Sequence, residues 1–331
     1  AGVSTPAVRM SLGEIQAPLR DRLESVRGEI RRIVQSDFGL IAEVNSHLLQ
    51  MQGKLFRPTL LLLADEATGA RAPRAPTLAA VLELIHLATL VHDDSVDHST
   101  LRRGMPTINA LFSHQISVIM GDYLYSRAMI ELVRLDDLEP LRILARVTNE
   151  MTVGEMRQLL AVEPMAFTEQ EYDLLIRSKT ASLMSGACEV GALGGSADQR
   201  EALRRFGDAL GMAFQIVDDL LDYTGDASVT GKPSGADLRE HKMTLPLIWS
   251  LERMSEAGRK AVRRLMSSPT PADDQIAEVI ELVASAGGLE FARGRAAAMG
   301  DLAEAQLDYL PPSPAREALR ATVPYVLERS H

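Results

Sequence analysis

The sequence predicts an all-α protein, and three observations carry that expectation. Apolar residues recur three and four apart along the whole chain, alternating β-branched runs are few, and Gly/Pro breakers fall between the apolar stretches. In order, helices are expected over residues 12–34, 38–49, 57–67, 77–97, 114–132, 142–161, 169–191, 200–223 and 245–251, with shorter ones up to 327. Breaks are expected at 69–76, at Pro164 with Thr168 as the N-cap, and at 194–198, 224–235 and 311–314. None of these is a long low-complexity linker, and no repeat of about 20–50 residues is evident, so residues 1–331 are expected to form one helical domain.

Composition removes several classes of function. The 331 residues carry 45 Asp+Glu against 35 Lys+Arg, a formal charge of −10, which argues against nonspecific nucleic-acid binding. It argues equally, at face value, against an anionic substrate. The lone cysteine, Cys188, cannot form an internal disulfide or a thiolate metal cluster, which fits a reducing cytoplasm. No stretch of about 18 uncharged apolar residues is expected to span a membrane, and the first 21 residues show no export signal.

The sharpest feature is His92-Asp93-Asp94-Ser95-Val96-Asp97, a DDxxD run closing a long apolar helix. Residues four apart share a helix face, so Asp93 and Asp97 point the same way and repel unless a cation sits between them. A second copy, Gln215-Ile216-Val217-Asp218-Asp219-Leu220-Leu221-Asp222, places Gln215, Asp218 and Asp222 on one face of another apolar helix. Carboxylates without thiols favour hard, oxygen-preferring ions, and Mg²⁺ bound by a few carboxylates plus substrate phosphates is the usual pattern. A single acidic triplet is usually a solvated helix end; two copies embedded in apolar sequence are not explained that way.

Cations surround these clusters. Leu101-Arg102-Arg103-Gly104 follows the first, and adjacent arginines diverge, so each can hold a different phosphate. Gly53-Lys54-Leu55-Phe56-Arg57-Pro58 precedes a helix start that also favours anions. Lys179-Thr180 lies between the clusters, and a loop from Gly231-Lys232 runs through Asp237-Leu238 to Lys242. Each alone would be an ordinary surface cation. Beside Mg-type carboxylates they compose a diphosphate site.

These strings, with Gly121-Asp122-Tyr123-Leu124 and Lys242-x-Thr244-Leu245-Pro246, resemble the trans-polyprenyl diphosphate synthases of the polyprenyl synthetase family, from about residue 53 to 251. Departures are small: Gln52 replaces a glycine, His241 replaces another, and Leu55 replaces a basic residue, which is expected to remove a cation near the homoallylic site. The resemblance implies the isoprenoid synthase fold and a prenyltransferase that joins isopentenyl diphosphate to an allylic diphosphate. It assigns metal ions to Asp93, Asp97, Asp218 and Asp222, with Asp94 and Asp219 in support. The allylic diphosphate falls to Arg102, Lys179, Thr180, Gln215, Lys232 and Lys242; isopentenyl diphosphate falls to Gly53, Lys54, Arg57, His86 and Arg103. No protein base stands out, and the departing diphosphate is the expected proton acceptor.

The resemblance also makes the fourth and fifth residues before the first cluster a floor that stops chain growth when bulky. Here they are Thr89 and Ala88, the former about 6 Å beneath Asp93 by helical rise. Both are small, so a long product is expected, ended deeper by Met120, Leu124, Met129 or Leu132. A class I terpene cyclase would keep only one DDxxD run and use aromatic walls, against 4% aromatic residues here. A silent regulatory subunit would lack catalytic groups, and none is missing. The apolar helix at 114–132 suggests burial or a twin subunit, and the resemblance implies a homodimer.

Overall fold

Side-chain caps set where the helices begin. The computed structural model describes residues 9–161, 163–225 and 234–329. Ser113, Asp137 and Thr168 each accept a first-turn backbone N–H, opening the helices His114–Arg134, Leu138–Leu160 and Glu169–Ile176. Ser196 and Gln199 form a capping box, so the helix carrying the second aspartate run starts three residues earlier than expected and spans Ala197–Thr224. The first expected helix is divided: Pro18 sits in a short 3₁₀ turn, Ala17–Leu19, between Leu12–Gln16 and Arg20–Val34.

Two departures from regular helix fall at the candidate site. Residues 101–106 form a minimal hairpin in which Leu101 pairs Pro106 and Arg102 pairs Met105. Its two turn residues, Arg103 and Gly104, have φ of 51° and 75°, the left-handed pair that a tight hairpin requires. The expected helix at 169–191 contains a π-helical turn, Arg177–Ala181, before continuing as Ser182–Gly191. Sequence periodicity cannot register one extra residue in a turn.

The first aspartate helix, Ala75–Val96, is the axis of the bundle, packed by His114–Arg134, Arg20–Val34, Phe56–Ala67 and Ser182–Gly191. By length and composition it is also apolar enough to cross a membrane, although a charge, Glu83, interrupts its apolar run and no uncharged stretch of about 18 residues occurs in it. Its most apolar window is 72% buried inside the protein. The second aspartate helix joins two hydrophobic clusters. Leu203, Phe206 and Leu210 belong to the one around the axis, and Met212, Ile216 and Leu220 to another with Leu245, Val279 and Ala292. Chain after 251 continues as Glu256–Ser267, Asp273–Ala286, Gly288–Gln306 and Pro314–Glu328.

Leu55 does not face the site. It is 2% exposed within the main core and takes a left-handed backbone (φ 56°) at the start of the Phe56–Ala67 helix. The expected loss of a site cation there is therefore corrected: this position anchors the loop while its neighbours Lys54 and Arg57 carry the charge.

Gly207 and Gly211, one turn apart, bring the second aspartate helix against Met184–Ser185 and Ala181. A Cβ on Gly211 would lie 2.6 Å from Ala181 Cα. Gly211→Ala is expected to cost about 1–3 kcal/mol, as overpacking does, lowering the denaturation midpoint in urea. An unchanged midpoint would refute this close approach.

Candidate active site

The first cluster ends its helix with each aspartate in a different setting. Asp94 is buried and receives both Arg102 Nε and Arg102 Nη2 at 2.7 Å, a bidentate pair that aims the arginine. Asp93 and Asp97 have no such partner among the hydrogen bonds of the described residues. Burial, then Glu155, and then Asp97 push the Asp93 carboxyl up to about 6, against Lys179 and Arg102. His92 holds the same turn from outside. Its Nε2 lies 3.0 Å from Val118 O and 3.2 Å from Asp122 Oδ1, and the ring packs on Gly121, where a Cβ would collide with it. Tyr123 donates to Val34 O at 2.8 Å. Gly121 and Asp122 thus brace the helix end through His92, while Tyr123 ties their own helix to the end of Arg20–Val34.

In the second cluster Asp219 is the supporting residue. Tyr172 donates to its Oδ2 at 2.5 Å and Gln215 Nε2 to its Oδ1 at 2.9 Å, while Gln215 Oε1 accepts from Thr180 at 2.8 Å. This chain of hydrogen bonds ties the π turn to the aspartates. Burial and then Asp218 nevertheless push Asp219 up, to about 7. Asp222 accepts the backbone N–H groups of Ala236 and Asp237, both at 3.0 Å, closing the loop that follows. Asp218 Oδ1 lies 3.2 Å from Arg329 Nη2.

The two clusters face each other across cations. Lys179, on the π turn, pairs with Glu155 at 2.6 Å and donates to Gln158 at 2.9 Å, within the field of Asp93. Burial lowers the pKa of Lys242, but Glu240, Asp237 and Asp97 outweigh it and raise it overall, and Lys242 also acts on Asp219. Asp237 is pushed up to about 8 by burial and then by Asp219, Asp222 and Asp218. Lys232 and Gly231 lie outside the described residues.

A second group of cations gathers behind the first aspartate helix. Arg103 passes so close to Gly53 that a Cβ there would be 2.6 Å from its Nη1, and it donates to Met51 O at 2.8 Å. Arg57 Nη1 lies 3.3 Å from His86 Nε2. Burial drives His86 well down, so its ring is neutral, and lowers Arg57 to about 10. Glu83, one turn before His86 and 3% exposed, is raised to about 7 by burial against the pull of Arg57 and Arg103. Lys54 is exposed, with its carbonyl held by Gln16 at 2.7 Å. Arg102 and Arg103 therefore diverge to the two sides, as adjacent hairpin residues do.

Ala88 is 3% exposed and Thr89 half-buried, its hydroxyl donating to His86 O at 2.6 Å. Met120, Leu124 and Leu132 are buried and Met129 partly so. Sequence reasoning missed Glu83, Glu155, Gln158, Tyr172, Asp237, Phe214 and Arg329 as site residues. Glu83 alone carried a plain signal, the one charge in an apolar run. Among the described residues no three carboxylates or histidines converge into a complete metal cage.

A helical bundle presenting two aspartate clusters and two cation groups has the charge pattern of an enzyme acting on phosphorylated substrates. The polyprenyl synthetase family model matches residues 39–283. The all-trans-nonaprenyl-diphosphate synthase (geranyl-diphosphate specific) of Rhodobacter capsulatus is 40% identical over 318 residues, covering 96% of this chain and 97% of its own. The octaprenyl diphosphate synthase of Escherichia coli is 36% identical over 312 residues, 94% and 96% of the two chains. A polyprenyl synthase from Caulobacter crescentus, solved with calcium and isoprenyl diphosphate, superposes with a TM-score of 0.93 at 33% identity, covering 98% of this chain and all of that one. The chain belongs to the polyprenyl synthetase family. It is a prenyltransferase with the isoprenoid synthase fold.

Glu83, Asp219 and Asp237 keep their protons in the folded protein to about pH 7, 7 and 8, whereas unfolded carboxyls lose them near pH 4. The native state then binds more protons, so stability falls as pH rises through these values. His86 opposes this only below its ordinary value of about 6.5. The melting temperature of the metal-free protein is therefore expected to fall between pH 6.5 and 8.5; a flat or rising profile would contradict these buried carboxyls.

Proposed function

We propose that the protein is a long-chain trans-polyprenyl diphosphate synthase that condenses isopentenyl diphosphate head-to-tail with an allylic diphosphate. The observation that carries this is the separation of the cations into two groups. One lies between the aspartate clusters and the other, around Arg57 and His86, lies behind them. Magnesium is the proposed cofactor. The donor set fits it: Asp93, Asp97, Asp218 and Asp222 offer only oxygen, and Asp93 is held beside the carboxylates of Glu155 and Asp97. When bound, the metal supplies Lewis-acid stabilisation of the leaving diphosphate.

The chain's own groups do the rest. Arg102, aimed by Asp94, and Lys179, Lys232 and Lys242 hold the allylic diphosphate, with Thr180 and Gln215 fixing the π turn beside it. Lys179 exchanges Glu155 and Gln158 for phosphate oxygens. Gly53, Lys54, Arg57, His86 and Arg103 hold isopentenyl diphosphate, and fixed cations stabilise the charge that develops as the allylic bond breaks. The departing diphosphate takes the proton released after condensation.

Product length follows from Ala88 and Thr89, too small to block the hydrocarbon one turn below Asp93, and relatives named for octaprenyl and nonaprenyl products support a long chain. Incubation with isopentenyl diphosphate, separate allylic primers and Mg²⁺ is expected to give, by mass spectrometry, products longer than twenty carbons. Ala88→Phe is expected to shorten them, and unchanged length would remove Ala88 from the floor.

Residues 1–331 are read as one domain, since Met299 and Leu327 pack against both hydrophobic clusters. The proposed compartment is the cytoplasm, and burial of Ala75–Val96, the one helix among the described residues that is both long and apolar enough to cross a bilayer, supports a protein that does not insert in membranes. A homodimer is proposed through Ile119 and Val133 of one helix and Met156, Leu159 and Leu160 of the next, all exposed apolar side chains. Light scattering at micromolar concentration is expected to return twice the chain mass; a monomer would refute the proposal.

A further inference from the structure

Arg329 follows the Pro314–Glu328 helix and lies beyond the residues, 39–283, that match the family model. Its side chain is 14% exposed and makes three contacts with the second aspartate helix. Nη2 donates to Phe214 O at 2.7 Å and lies 3.2 Å from Asp218 Oδ1, and the guanidinium stands 3.6 Å from the Phe214 ring centre. Its Nε is buried with no hydrogen-bond partner. Arg57 stands 5.8 Å from the same ring. Phe56 stacks on Phe214 at 6.0 Å and meets Tyr325 at 5.7 Å, so three aromatic rings join the helix after Lys54, the second aspartate helix and the C-terminal helix.

Beside these rings is a cavity of about 290 Å³. Arg9, Lys54 and Arg329 supply its cations, Glu328 its one carboxylate, and Tyr325 part of its wall. Lys54 is also one of the cations assigned above to isopentenyl diphosphate. Arg329 thus touches a proposed metal ligand with one end of its fork while lining the cavity that Lys54 also lines.

We propose that Arg329 is a shared counter-ion coupling the two halves of the site. Without a divalent cation it neutralises Asp218; when the cation takes Asp218, the guanidinium is released toward Lys54, where it adds a donor pair for the isopentenyl diphosphate. This rests on the metal and diphosphate assignments made under the proposed function. Charge drives the exchange. A divalent ion on Asp218 removes the attraction that holds Arg329 and replaces it with repulsion, while Arg57 already repels Arg329. A diphosphate at Lys54 offers oxygens spaced for a planar guanidinium.

The test uses the full-length protein and Mn²⁺ as a spin probe, read by electron paramagnetic resonance without substrates. Arg329→Gln is expected to tighten Mn²⁺ binding at the Asp218-dependent site several-fold, while Arg329→Lys, which keeps the charge, stays near the parent. In steady-state assays Arg329→Gln is expected to raise KM for isopentenyl diphosphate about tenfold, the worth of one charge-assisted contact, and to move KM for the allylic diphosphate far less. A purely structural role would weaken both substrates and would not tighten the metal. If Asp218→Asn removes a Mn²⁺ site and Arg329→Gln leaves its affinity unchanged or weaker, the coupling is overturned and the metal assignment stands. If Asp218→Asn removes no Mn²⁺ site, the metal assignment fails and the coupling with it. An unchanged KM for isopentenyl diphosphate also overturns it.

Discussion

Carboxylates are forced together at the centre of this protein, and most of the site can be understood as the management of that repulsion. Two helices bring six aspartates to one place, and Glu155 and Asp237 add two more acids. Several of the acids have a counterpart of their own: Asp94 has Arg102, Glu155 has Lys179, Asp218 has Arg329, and Asp219 has Tyr172 and Gln215. Asp222 is held by backbone N–H groups. Burial first, and the neighbouring carboxylates second, leave Asp93, Asp219 and Asp237 holding their protons above the ordinary carboxyl range. Such a cluster is costly in isolation, and added positive charge would lower that cost.

Rigid packing makes that cost sustainable. His92 is clamped on Gly121, Arg103 threads past Gly53, and Gly211 admits Ala181, so bare backbone at three glycines permits three close approaches. The hairpin solves a different problem. Two adjacent arginines in a helix would diverge by about 100° and stay on one surface. Turned through a tight hairpin, Arg102 reaches Asp94 while Arg103 reaches Met51, so the two guanidinium groups diverge.

Much of this was legible in the residues themselves. Apolar periodicity located nearly every helix, because these helices bury one face, and the paired aspartates declared themselves by standing in apolar sequence. What escaped has physical reasons. The starts at Leu138 and Ala197 depend on single capping side chains, Asp137 and Ser196. Leu55 looked like a lost cation because a linear string does not show that its backbone turns left-handed and sends the side chain into the core. Arg329 escaped because its partners, Phe214 and Asp218, are more than 100 positions away. Net charge misled most of all: the six aspartates and seven cations assigned to the site sum to +1, so the rest of the chain carries −11 and the total says nothing of the pocket.

The π turn at Arg177–Ala181 has a consequence for how this segment tolerates change. One additional residue per turn rotates everything after it by about 100° relative to a regular helix. Lys179 and Thr180 lie within that turn, directed to Gln158 and Gln215 respectively. Loss of one residue would regularise the helix, strengthening its internal hydrogen bonds while swinging both side chains off their partners. The number of residues between Glu169 and Gly191 is therefore as much a part of the site as their identity. Many substitutions on the outer face of this segment should pass unnoticed, whereas a single-residue deletion would leave a well-formed helix with its lysine aimed at the wrong neighbour.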